Sequence, residues 1–155
     1  MVYDRLSSGL SADHVVVHDP RWVASDARSA DLAARGQADF LVAHPEQGLL
    51  LLYVHEGGLR HEPHGDRWTA MDADGQQRHI ADPLTVGDAG LDALLSALRR
   101  HIGAEPSLPM VGWAVVMPDV QAPTSGVSSG LPRELIVDRG DLRDSTRRFD
   151  ALAAW

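Results

Sequence analysis

The stretch ADFLVAHPEQGLLLLYVHEGG (residues 38–58) decides the fold class of this chain. Two apolar runs, DFLVAH and GLLLLYV, flank a Pro- and Gly-containing turn, the pattern of a β-hairpin. The second run is apolar at successive rather than alternate positions, which predicts a strand covered on both faces inside a sheet. Downstream, RWTAMDADGQQRHI (residues 67–80) predicts a second hairpin around Asp74-Gly75, a strong turn dipeptide, and Asp82-Pro83 ends it. Leu91, Leu94, Leu95 and Leu98 recur at helical spacing, predicting an amphipathic helix over residues 87–102 that ends near Ile102-Gly103 and packs its leucine stripe on the sheet. MVGWAVVMPDV (residues 110–120) reads as a buried strand, ELIVD (residues 134–138) as a short one, and residues 141–155 as a helix beginning near Asp141. Upstream, Val2, Leu6 and Leu10 indicate a short helix before a strand VVVH (residues 15–18). The resulting order predicts a three-layer α/β (α+β) domain.

Composition bounds the function. The 155 residues, 44% hydrophobic and 23% charged, suit a single domain over 1–155 with one core. No internal repeat is present, and PTSGVSSGLP (residues 123–132) reads as a surface loop. The absence of cysteine excludes disulfides and thiolate metal sites. No stretch approaches the roughly 20 apolar residues of a membrane span, and MVYDRLSSGL lacks the basic and apolar regions of an export signal, so a cytoplasmic location is expected.

The net charge of −8 works against nucleic-acid binding, because affinity for DNA comes largely from cations that neutralise phosphates. The clusters Arg99, Arg100, His101 and Arg143, Arg147, Arg148 read as cations at helix ends or on solvated faces. Lysine is absent, which excludes a phosphate-binding Gly-rich loop with lysine and Schiff-base catalysis. SSGLSADH contains Ser and His but no nucleophile elbow.

Taken in order, Asp39 opening an apolar strand, the Pro/Gly turn, and the run from Gly48 that ends in two glycines resemble the signature of the nuclease-related domain (NERD) family of the PD-(D/E)XK nucleases. Arg67-Trp68 before a short hairpin, Asp82-Pro83 before a helix, and WAVVMPDV before a Pro/Gly-rich loop and ELIVDRGDL follow the same order, so the resemblance spans nearly the whole chain. It implies a restriction-endonuclease-like three-layer core, with a central mixed sheet flanked by helices. The family's chemistry uses an Asp on one strand and Glu-x-Lys on the next. Two carboxylates hold Mg²⁺ or Mn²⁺, which activates water, and the lysine supports the transition state. The spacing of two keeps both side chains on one face of a strand.

On this alignment the Asp is Asp39, the Glu position is Tyr53 and the Lys position is His55. A phenol, with a pKa of about 10, is a poor Mg²⁺ ligand, and an imidazole, at about 6.5, is mostly neutral at neutral pH and prefers softer metals. Two supporting positions depart as well, with Gln37 and Val86 in place of an acidic residue and a glutamine. The resemblance therefore implies a catalytically degenerate module, a pseudoenzyme without a cofactor. Its role would be structural or in interaction, with a helicase or other DNA-processing protein as the implied partner, weak or no direct nucleic-acid binding and no membrane. In the simplest arrangement Tyr53 and His55 fill the volume of the former site and Asp39 hydrogen-bonds to His55. Two alternatives stay open. One is a residual Mg²⁺- or Mn²⁺-dependent nuclease using Asp39 and His55, with Glu56 as a migrated acid, although Glu56 should point to the opposite face of the strand. The other is a non-nuclease metal site built on Asp39 and His55, joined by Glu62, His61 or His64.

Overall fold

A computed structural model describes residues 2–23, 35–62, 64, 67–72, 74–102, 110–127 and 131–153. The chain runs through helix α1 (Val2–Gly9), strands β1 (Val15–His18), β2 (Arg21–Val23), β3 (Arg35–Gln37), β4 (Phe40–His44), β5 (Gly48–Val54), β6 (Leu59–Glu62), β7 (Arg67–Met71) and β8 (Gln77–Ile80), helix α2 (Pro83–Ile102), strands β9 (Val111–Met117) and β10 (Ile136–Asp138), and helix α3 (Ser145–Ala153). Five strands form the main sheet in the order β1-β4-β5-β9-β10, while β2-β3 and β6-β7-β8 form smaller sheets.

The run GLLLLYV becomes β5, the central strand, antiparallel to β4 and parallel to β9. A parallel neighbour requires a crossover, and α2 lies within it. Side chains alternate between two apolar layers. Leu51, Trp113, Val115 and Met117 pack on the face that carries Leu94 of α2. Leu52, Ala114, Val116 and Val137 pack on the other face with Leu6 of α1 and Phe149 of α3. The fold is therefore a mixed α+β architecture with helices on both faces of a mixed sheet, as the element order predicted. No helix among the described residues is long and apolar enough to cross a membrane.

Two elements begin elsewhere than their periodicity suggested. Helix α2 starts at Pro83 because Asp82 caps it, accepting from the Leu84 amide at 3.1 Å and the Thr85 hydroxyl at 2.8 Å. Its buried line runs through Gly87, Gly90, Ala93, Leu94 and Ala97, with Leu84, Leu91 and Leu98 packing at its margin. Leu95 is only half-buried and belongs to neither apolar layer, so the expected four-leucine stripe is corrected. The reason is steric: a side chain at Gly87 would overlap the Trp113 indole and one at Gly90 the Tyr53 hydroxyl. The sheet presents aromatic rings to α2, and the helix meets them with its smallest residues.

Helix α3 begins at Ser145 rather than near Asp141, which lies in a separate 3-10 turn, Asp141–Arg143. The Asp141 carboxylate accepts from the Asp138 amide at 2.9 Å and from Arg133 at 2.8 Å, fastening the chain after β10. Arg148, expected on a solvated face, instead reaches inward and donates to the carbonyls of Arg133, Glu134 and Ile136 at 2.7–2.8 Å. Asp138 is 3% exposed. Burial alone would raise its carboxyl pKa, but the amides of Asp141, Ala122 and Gly140 together with Arg133 outweigh that and hold it below 3.8.

Candidate functional site

The aligned residues meet where β4 begins and β5 ends. Asp39 precedes β4, and its amide donates to the Leu52 carbonyl at 3.0 Å. Its carboxylate accepts from the Val54 amide at 2.7 Å, continuing the ladder with a side chain where the backbone pairing stops. This hydrogen bond brings the carboxylate beside the backbone between Tyr53 and His55. The expected Asp39–His55 hydrogen bond is not found among the described residues: the carboxylate accepts from the Val54 amide, and His55 Nδ1 has no partner.

Tyr53 packs with the α2-side apolar layer, and Gly90 leaves the space its hydroxyl occupies. That hydroxyl is buried with no hydrogen-bond partner. Burial, reinforced by the negative charge of Asp39, pushes its pKa up to about 12. His55 donates its backbone amide to the Val116 carbonyl at 2.9 Å, and its Nδ1 is buried without a partner. Burial first, and then the positive charge of Arg78, lower its pKa below 6.5, while Asp39 pulls the other way. At neutral pH the pair is therefore a neutral phenol and a neutral imidazole beside a single carboxylate.

Asp39 also lines a cleft of about 830 Å³ with Glu56, Asp72 and Arg78, and that lining includes neither Tyr53 nor His55. Glu56, in the turn that follows β5, thus shares a cleft with Asp39 whose lining excludes the aromatic pair. His61, Glu62 and His64 line a different cleft, and the His61 ring lies 4.7 Å from that of Trp68. Among the described residues no three His, Asp or Glu side chains are grouped so as to hold a metal ion. The residues at the aligned positions do not fit a hard divalent cation. An orphaned phenol that stays protonated cannot replace a carboxylate, and Asp39 already spends one oxygen on Val54. Of the other departures, the Gln37 amide donates to Asp19 at 3.3 Å, and Val86 is exposed on α2.

A more apolar cleft of about 570 Å³ lies at the opposite end of the sheet, around the β4–β5 turn, where the His14 and His44 rings meet at a tilt of 46° with centroids 4.6 Å apart. It is remote in the register from Asp39 and carries none of the aligned residues. Trp113 and Trp68 are buried, with the Trp113 indole donating to Asp88 at 2.9 Å. Sequence reading missed Gly90 as a site residue. Its signal was the pair Gly87 and Gly90 inside a helix, where glycine is costly unless another group approaches closely. No protein-family model, curated protein or solved structure matches this chain.

Proposed function

We propose that this chain is a catalytically degenerate nuclease-like module of the NERD type, acting in structure or interaction rather than in phosphodiester hydrolysis. The observation that carries the reading is the state of Tyr53. It stands on the central strand at the position of the second carboxylate, and its hydroxyl is buried against Gly90 and held neutral with a pKa of about 12. His55, two residues on, is held neutral as well. Asp39 beside them is consistent with the Asp of the motif, and the antiparallel β4–β5 pair followed by α2 and parallel β9 is consistent with the implied core. With one carboxylate and no cation at the aligned positions, neither a two-carboxylate metal site nor the lysine's charge is available. The partner this reading favours is a helicase or other DNA-processing protein, with this module contributing shape rather than chemistry.

The test combines activity with repair of the motif. The unaltered chain should cleave neither single- nor double-stranded DNA in Mg²⁺ or Mn²⁺. Tyr53→Glu with His55→Lys should bind Mg²⁺ in calorimetry, provided circular dichroism shows that the variant keeps its fold. Cleavage by the unaltered chain that Asp39→Ala abolishes would overturn the proposal. A folded double variant that binds no Mg²⁺ would count against the alignment of Tyr53 and His55 with the motif.

A further inference from the structure

We propose that Arg5, Arg139 and Arg143 form a binding site for the phosphate group of a small molecule. The three come from opposite ends of the chain and line one cleft of about 380 Å³ with Ser8, Gly9 and Leu142. Arg5 is on α1, Arg139 directly follows β10, and Arg143 ends the 3-10 turn before α3. The cleft therefore lies beside the carboxyl ends of the parallel strands β9 and β10.

The charges of these arginines are uncommitted, in a chain with 22 acidic residues against 14 arginines. Arg21 is paired with Asp19, Arg133 with Asp138 and Asp141, and Arg148 with Asp141. Among the described residues, no ion pair engages Arg5, Arg139 or Arg143, and neither Asp4 nor Asp144, their neighbours in sequence, lines the cleft. Three like charges gathered without a counter-charge repel one another, so the arrangement is favourable when an anion sits among them.

The geometry is partly set in advance. One Arg5 guanidinium nitrogen donates to the Pro118 carbonyl at 3.1 Å, which holds that side chain at the end of β9 and leaves further N–H donors for a ligand. The backbone amides of Arg139 and Arg143 donate to the carbonyls of Val120 and Gly140 at 3.0 Å and 3.1 Å, so both side chains depart from anchored positions. Guanidinium groups match the oxygens of a phosphate in a bidentate fashion. The overall charge of −8 repels an extended polyanion, whereas a cleft of about 380 Å³ with a local excess of arginine suits a single compact phosphate group.

Calorimetry on the full chain at constant ionic strength tests this, with inorganic phosphate, adenosine monophosphate and a short single-stranded DNA as probes. Phosphate should bind at one site, and Arg139→Gln with Arg143→Gln should weaken it by about tenfold or more without lowering the melting temperature. Arg99→Gln, on α2, should leave binding unchanged. Equal affinity for phosphate and the nucleotide would identify free phosphate as the ligand, and tighter binding of the nucleotide would identify a phosphate ester. Phosphate heats no larger than those of chloride, or binding that survives the double substitution, would overturn the site. DNA binding tighter than that of the nucleotide, with the same arginine dependence, would overturn the small-molecule assignment in favour of a strand.

Discussion

Tyr53 and Gly90 act as one packing unit, because the helix approaches β5 only as closely as the phenol allows and the phenol fits only because residue 90 has no side chain. The Tyr53 hydroxyl is buried without a partner, a desolvation cost that nothing within the described residues offsets. Tyr53→Phe should therefore leave stability unchanged or raise it by about 1 kcal/mol in urea unfolding; a loss of that size would show that the hydroxyl has a partner. Gly90→Ala should cost about 1–3 kcal/mol, and less in the Tyr53→Phe background, where the overlapping oxygen is gone. Equal costs in the two backgrounds would refute the steric account. His55 makes a separate prediction about pH. Its folded pKa is depressed below 6.5, so as pH falls the unfolded chain takes up a proton that the folded chain resists. Its stabilising effect is complete above 6.5 and is lost as pH falls through the lowered folded value. Unfolding of the unaltered chain and of His55→Gln at about pH 7 and about pH 5 should show a smaller loss in the variant, and parallel losses would place the imidazole in water.

At the scale of elements, α2 shows where periodicity stops being informative. Leu91, Leu94, Leu95 and Leu98 correctly announced a helix, but the rotation of that helix on the sheet is set by Trp113 and Tyr53 meeting Gly87 and Gly90. Leu94, 6% exposed, should carry the larger burden. Leu94→Ala should cost about 2–5 kcal/mol and Leu95→Ala distinctly less, read from paired denaturation curves. Similar losses would mean that the contact line runs midway between the two leucines. The β4–β5 hairpin was legible because its turn and its unbroken apolar run are local signals. Strand β6 was not, because Leu59–Glu62 is short, polar and half-solvated, and is defined by its partner β7 rather than by its own pattern. The start of α3 was misplaced for a related reason: Asp141 has the composition of a helix start, yet its carboxylate is occupied by Asp138 and Arg133.

For the whole molecule, the charge of −8 predicts no saturable binding of duplex DNA by fluorescence anisotropy at about 0.15 M salt. Micromolar binding with a steep salt dependence would contradict it and would implicate the arginine cleft. The amino-acid sequence by itself determined the order of the larger elements, though not the short strands β2, β3 and β6, together with the burial of β5 and β9 and the layered α+β class. Apolar burial dominates folding, and its periodicity is written into neighbouring residues. Only the tertiary structure decided that Asp39 binds the Val54 amide rather than His55, that Arg148 is an internal clamp, and that Arg5 joins Arg139 and Arg143. Those outcomes depend on which distant groups desolvate one another. Residues far apart in the chain meet only after the sheet has formed, so no local pattern encodes the pairing.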